Sequence, residues 1–109
     1  MTCEGSQYLI LRYSLPTMAF LDNIQHIHII GAGGIGLSAL VKLLRAHAKN
    51  VSCSDINVTP MTENLESLGI HVAISEDARN IPVDTQLVIY SSAYPESHGE
   101  RAEAVRRGI

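Results

Sequence analysis

Cysteine is scarce in this sequence and supplies no framework. Only Cys3 and Cys53 occur, with no C-x-x-C pair, so neither a disulfide scaffold nor a structural zinc site is indicated. A reducing, cytoplasmic setting is the default expectation. Long apolar runs are missing too, since none approaches the roughly 20 residues that a membrane-spanning helix needs. Positive charge is not in excess: 8 Lys and Arg against 11 Asp and Glu leave a formal net charge of -3, which gives no polyanion-binding surface. Neither nucleic acid nor a membrane is expected as a partner. No G-x-x-x-x-G-K-[ST] loop for ATP occurs, and no helix carries an H-x-x-x-H pair for a metal. No nucleophile and base can be paired from local sequence. His26, His28, His47, His71 and His98 read as structural or solvent-facing, with His28 the one to re-examine, and Cys53 reads as a small buried hydrophobe.

What is present suits one domain. The 109 residues, 46% of them hydrophobic, have room for a single core. Residues 1–17 lack the periodicity of the rest of the chain, and also the basic start and cleavage site of a signal peptide. They are expected to form a flexible extension, with the domain proper over residues 18–109.

Within that domain, "QHIHII" (Gln25 to Ile30) is β-branched and bounded by glycine, as a strand is. Leu37, Leu40, Val41, Leu44 and Ala48 then recur at helical spacing. "NVSCSD" (Asn50 to Asp55) is a second strand. Thr59 before Pro60 signals a helix start, Leu65 and Leu68 give that helix its apolar face, and Gly69 stops it. "IHVAI" alternates as a third strand, "SEDARNIPVD" holds one helical turn, and "TQLVIYSSA" is the most apolar strand after the first. Ser97 and Glu100 make a capping box for a last helix that Gly108 ends. Strands alternating with helices imply a mostly parallel sheet in a Rossmann-like three-layer α/β sandwich. Ile109 reads as the opening of another strand, so the chain is expected to be a fragment of a longer one.

Gly31, Gly33 and Gly36 satisfy G-x-G-x-x-G directly after a strand and before a helix, the context that gives this motif meaning. The first glycine allows a tight turn, the second a close approach of backbone to a diphosphate, and the third close packing of helix on strand. The helix N-terminus favours the anion. Asp55 follows Gly36 by 19 positions, near the roughly 20 at which an acid meets a ribose hydroxyl. Ser91 and Ser92 end a strand at the same edge. These residues fit a nicotinamide dinucleotide and a UDP-sugar equally well, since both present a diphosphate and a ribose.

The chain from His26 to Ile109 resembles the Mur ligases, and within them the branch that joins L-alanine to UDP-N-acetylmuramate. "HIHIIGAGGIGLSAL" is similar to that group's I-H-F-x-G-I-G-G-x-G-M-S-G, and "VSCSD" to its V-x-G-S-D. "MTENLESLGIHV", "LVIYSSAYPE" and "AVRRGI" match further segments in order. Ala32, Leu37, Ala39, Ser75 and Glu76 depart from the pattern, the last two standing where a Gly-His pair is common. The resemblance implies the N-terminal, substrate-gripping domain of a cytoplasmic, ATP-dependent amide-forming enzyme of peptidoglycan precursor synthesis. It implies that Gly31, Ala32, Gly33, Gly34, Ile35 and Gly36 hold the diphosphate of UDP-N-acetylmuramate. Asp55 would meet the uridine side, and Ser91, Ser92 and Ala93 would line the phosphate and sugar path. No catalytic or metal-ligating residue is expected in this chain, and ATP and magnesium would belong to a central domain outside it. Two other classes fit the glycine loop: an NAD-binding domain of an oxidoreductase, and a nucleotide-sensing regulatory module. Oligomeric state has no signal in the sequence.

Overall fold

A computed structural model describes residues 21–109; the expected extension over residues 1–17 lies outside the described residues. The elements run β1 (His26–Ile30), α1 (Ile35–Ala46), β2 (Asn50–Asp55), α2 (Pro60–Ser67), β3 (Val72–Ile74), a 3-10 turn (Ala78–Asn80), β4 (Leu87–Tyr90) and α3 (Gly99–Arg107). All strand pairs are parallel, in the order β3-β2-β1-β4. The chain therefore steps outward from β1 to β3 and returns to β4 on the other side of β1. That reversal makes the crevice between the carboxyl ends of β1 and β4 the topological switch point, where open α/β sheets bind ligands. Ile30 pairs with both Ser54 and Tyr90, so Gly31, Asp55 and Ser91 emerge side by side.

Alternation along β1 separates the two faces of the sheet. Ile27 and Ile29 enter a core with Val41 and Leu44 of α1, Cys53, Leu65 of α2, Ile70 and Val72. His28 points the other way, to Glu100 of α3. Helices α1 and α2 thus cover one face and α3 the other, which is the expected three-layer sandwich. Burial pushes the Cys53 thiol up to about 12, which keeps it protonated and inert. Among the described residues no helix is long and apolar enough to cross a membrane.

Several local expectations change. Helix α1 stops at Ala46, and Ala48 lies beyond it with φ of 62°. Thr59 does cap α2, with Thr62 completing the capping box, but Leu68 is the C-cap and 55% exposed. Strand β3 is three residues long, preceded by a buried Ile70. Strand β4 is only half-buried because, among the described residues, it lies at the sheet edge. Ser97 does not cap α3. His98 does, its ring accepting the Glu100 N–H at 3.2 Å, while the Glu100 side chain turns into the protein.

Candidate nucleotide-binding site

The glycine loop is held from below by its own fold. Gly31, at φ of +97°, turns the chain out of β1 as only glycine does without strain. Its N–H and that of Ala32 donate to the Ser54 carbonyl at 2.8 and 3.1 Å. The Gly33 N–H donates to the Asp55 carboxylate at 2.8 Å, and the Gly34 N–H to the Gly31 carbonyl at 3.2 Å. Every N–H from Gly31 to Gly34 is thus engaged within the protein.

The next donors are different. Ile35, Gly36 and Leu37 form the first turn of α1, Gly34 offers no side-chain cap, and their N–H groups have no acceptor among the described residues. Helical pairing resumes only with Ser38 N–H to the Gly34 carbonyl. Unpaired N–H groups at the positive end of a helix dipole are an anion site. The open donors therefore lie at the tip of α1, where the last motif glycine, Gly36, stands between Ile35 and Leu37, and not in the first part of the loop.

Gly36 departs from its expected role. A Cβ there would meet nothing within 4 Å, so helix-to-strand packing does not require a glycine. Gly36→Ala is expected to raise stability by up to about 0.5–1 kcal/mol in urea melts. A simultaneous loss of nucleotide affinity would show that the open space serves a ligand.

Asp55, 8% exposed, holds the loop from β2. Besides Gly33, its carboxylate accepts the Asn57 N–H at 3.0 Å. Each oxygen keeps a lone pair for a further donor such as a ribose hydroxyl. Thr59 ties α2 to the same place, its hydroxyl donating to the Gly33 carbonyl at 3.1 Å.

Across the crevice, the Ser91 N–H continues the sheet by donating to the Ile30 carbonyl at 3.2 Å, and the Ser91 hydroxyl accepts the Ala93 N–H at 3.2 Å. Ser92 and Ala93 are exposed at the tip of this turn. Tyr94, which sequence reasoning passed over, comes next. Its ring lies against Gly31, with Cε2 2.8 Å from where a Cβ would stand. It also packs on the His98 ring, centroids 4.7 Å apart. Burial, and then the Asp55 and Glu100 carboxylates, push the Tyr94 hydroxyl above its ordinary pKa.

Beneath the loop lies a buried polar network. Glu100 is fully enclosed. Its Oε1 accepts from the Ser54 hydroxyl at 2.5 Å and from His28 Nε2 at 2.8 Å. Its Oε2 accepts from the Asp77 N–H at 3.2 Å and the Asn80 amide at 2.9 Å. His28 Nδ1 meets the Ser52 hydroxyl at 2.6 Å; with Nε2 donating to the carboxylate, a neutral ring accepts there. Burial alone would raise the Glu100 carboxyl, but the hydrogen bonds from His28, Ser54, Asn80 and Asp77 outweigh it and hold the pKa below the ordinary value. Ser54 belongs to both layers, its carbonyl holding Gly31 and its hydroxyl bound to Glu100.

Ser75 and Glu76 also have structural partners. The Glu76 carboxylate accepts the Gly99 N–H at 2.7 Å, so the start of α3 already holds an anion from its own chain. The Ser75 hydroxyl accepts from Asn80 at 3.1 Å. No group of three or more His, Cys, Asp and Glu that could hold a metal gathers among the described residues.

Comparison with known proteins agrees with this geometry. The profile described as "Mur ligase family, catalytic domain" matches residues 26–109. The UDP-N-acetylmuramate--L-alanine ligase of Clostridium botulinum is 38% identical over 88 residues, covering 81% of this chain and 19% of that protein. The crystal structure of UDP-N-acetylmuramate-alanine ligase from Thermotoga maritima superposes with a TM-score of 0.72 at 32% identity, over 77% of this chain and 19% of that one. The UDP-N-acetylmuramate:L-alanyl-gamma-D-glutamyl-meso-diaminopimelate ligase of Neisseria meningitides superposes with a TM-score of 0.70 at 26% identity, covering 79% and 27%. The chain spans about a fifth of the length of the first two of these proteins.

Proposed function

Since this chain belongs to the Mur ligase family through residues 26–109, we propose that it is the UDP-N-acetylmuramate-binding domain of a ligase that joins L-alanine to that substrate in peptidoglycan precursor synthesis. The observation that carries this reading is the tip of α1, where the N–H groups of Ile35, Gly36 and Leu37 stand unpaired at the switch point of a parallel sheet. A diphosphate satisfies all three, and the dipole of a 12-residue helix favours its charge. Asp55 would accept from the ribose, and Ser92 and Ala93 would line the path toward the sugar. The domain in this reading comprises residues 18–109.

Amide formation of this kind would use ATP to convert a carboxylate to an acyl phosphate, whose acyl carbon an amine attacks with phosphate as the leaving group. The described residues do not fit ATP with magnesium, because they include neither a Gly-rich loop with a following lysine nor a cluster of carboxylates. The reading places that chemistry in the part of the ligase that this chain does not match. The likeness to Mur ligases counts against the nicotinamide-dinucleotide alternative, and nothing in the site favours that alternative specifically.

Calorimetric titration of the chain with UDP-N-acetylmuramate tests the proposal. Binding is expected, and Asp55→Ala should weaken it by about tenfold or more, since it removes the ribose acceptor and the Gly33 anchor together. Tight binding of NADH without any response to a UDP-sugar would refute the assignment.

A further inference from the structure

We infer that Glu100 of α3 is a positioning residue of the proposed diphosphate site, acting through the Ser54 hydroxyl on the turn that leads to the open donors. The inference rests on the diphosphate site at the tip of α1 and names the group that holds that site in its binding shape.

Ser54 is fully buried and works in two directions. Its carbonyl accepts the N–H groups of both Gly31 and Ala32, at 2.8 and 3.1 Å, and the Asp55 carboxylate beside it accepts that of Gly33. The glycine turn therefore hangs on the last two residues of β2, and Gly34 and the open donors of Ile35, Gly36 and Leu37 follow it directly. Whatever fixes Ser54 fixes that turn. Its hydroxyl donates to Glu100 Oε1 at 2.5 Å, and a hydrogen bond to an ionised acceptor is roughly twice as strong as a neutral one. Glu100 does not follow a shift of β2, because other segments hold it. Its Oε2 accepts from the Asp77 N–H and the Asn80 amide, and the adjacent Gly99 N–H is bound by Glu76. The carboxylate is thus a fixed point, anchored to the segment after β3, against which Ser54 is set. Donors that are already in place need no ordering when a ligand arrives, and affinity rises by the cost avoided. Ser52 provides the contrast. Its hydroxyl joins the same network through His28 Nδ1 at 2.6 Å, two residues earlier on β2, but none of the turn's N–H groups donates to its carbonyl.

The test is calorimetric titration of the full chain with UDP, comparing wild type with Ser54→Ala, Ser52→Ala, Glu100→Gln and the variant that combines Ser54→Ala with Glu100→Gln. Urea melts of each set conditions in which the protein titrated is folded. Ser54→Ala is expected to weaken UDP by about tenfold, whereas Ser52→Ala, which also opens the network and lowers stability, stays within about twofold of wild type. Glu100→Gln weakens UDP as well, since one amide oxygen replaces two carboxylate acceptors. The combined variant binds no more weakly than Ser54→Ala alone, because both changes cut the same link. Wild-type affinity in folded Ser54→Ala, or equal losses in Ser54→Ala and Ser52→Ala, would overturn the inference and leave the diphosphate site standing. Losses that multiply in the combined variant would overturn it too, by showing that Glu100 does not act through Ser54. Should Glu100→Gln not fold, the contrast between Ser54→Ala and Ser52→Ala decides by itself. Failure of UDP to bind the wild type would overturn the underlying site and the inference with it.

Discussion

Replacing Glu100 by alanine is expected to remove roughly 2–5 kcal/mol of folding stability, at about 1–3 kcal/mol for each buried donor left without its acceptor. The carboxylate is fully enclosed and serves four donors from β1, β2, the 3-10 turn and its approach. Removing it leaves His28 Nε2 and the Ser54 hydroxyl without their acceptor inside the protein. A domain of this size has only about 5–15 kcal/mol in total, so the variant should unfold at much lower urea. Glu100→Gln keeps the shape and should lose less.

The two proteins should also differ in their response to acid. The pKa of Glu100 is lowered on folding from an ordinary 4.5. Its contribution is therefore complete above that value and fades as pH falls through the lower one it has in the folded chain. Urea melts across that window should show wild type converging on Glu100→Gln from above. A constant gap at all pH values would mean that the carboxylate is not ionised in the native state.

Gly33→Ala is expected to be strongly damaging to the glycine loop, although Gly33 lacks the positive φ that constrains Gly31. A Cβ at Gly33 would stand 2.6 Å from Asp55 Oδ2 and 3.0 Å from Thr59 Oγ1. Neither neighbour is free to yield, because the same carboxylate accepts the Gly33 N–H and the same hydroxyl donates to its carbonyl. Making room breaks those bonds, so overpacking and an unpaired N–H add to a loss of roughly 2–4 kcal/mol. The loop would also move, carrying the tip of α1 with it, and nucleotide binding should disappear before folding does. Gly34→Ala is the control, since its nearest neighbour would be 3.7 Å away, and its stability should stay close to wild type. Chemical denaturation and UDP titration of the pair check both statements, and equal behaviour of the two variants would contradict them.

The glycine loop shows where sequence reading reached its limit. The motif located the turn after β1, but the motif treats its glycines as the binding surface. The Ser54 carbonyl and the Asp55 carboxylate consume the N–H groups of Gly31, Ala32 and Gly33, which leaves open, of the loop expected to hold a diphosphate, only the Ile35 and Gly36 donors and adds Leu37 to them. Sequence spacing does not register that competition. Glu100 illustrates the same limit. Three residues after Ser97 it satisfied a capping box by local rule, yet a buried histidine 72 positions away is its partner, and a charge-assisted bond inside the protein outweighs a solvent-exposed cap. Alternation in "HIHII" did place His28 opposite Ile27 and Ile29, and that was the available hint that something polar had to receive it.

The sequence by itself determined the succession of strands and helices, the parallel sheet, the glycine turn and the acid at the end of β2. These follow from short-range periodicity, backbone sterics and caps, which act within a few residues. The resemblance to the Mur ligases likewise resided in ordered local segments. Tertiary structure alone decided which groups remain free to meet a ligand. Strand register set Gly31, Asp55 and Ser91 side by side, and the return to β4 brought Tyr94 over Gly31. The reason is that hydrogen-bond satisfaction and steric access are properties of neighbours in space, and the packing of α3 and β4 on β1 settles those neighbours only when the whole sheet has formed.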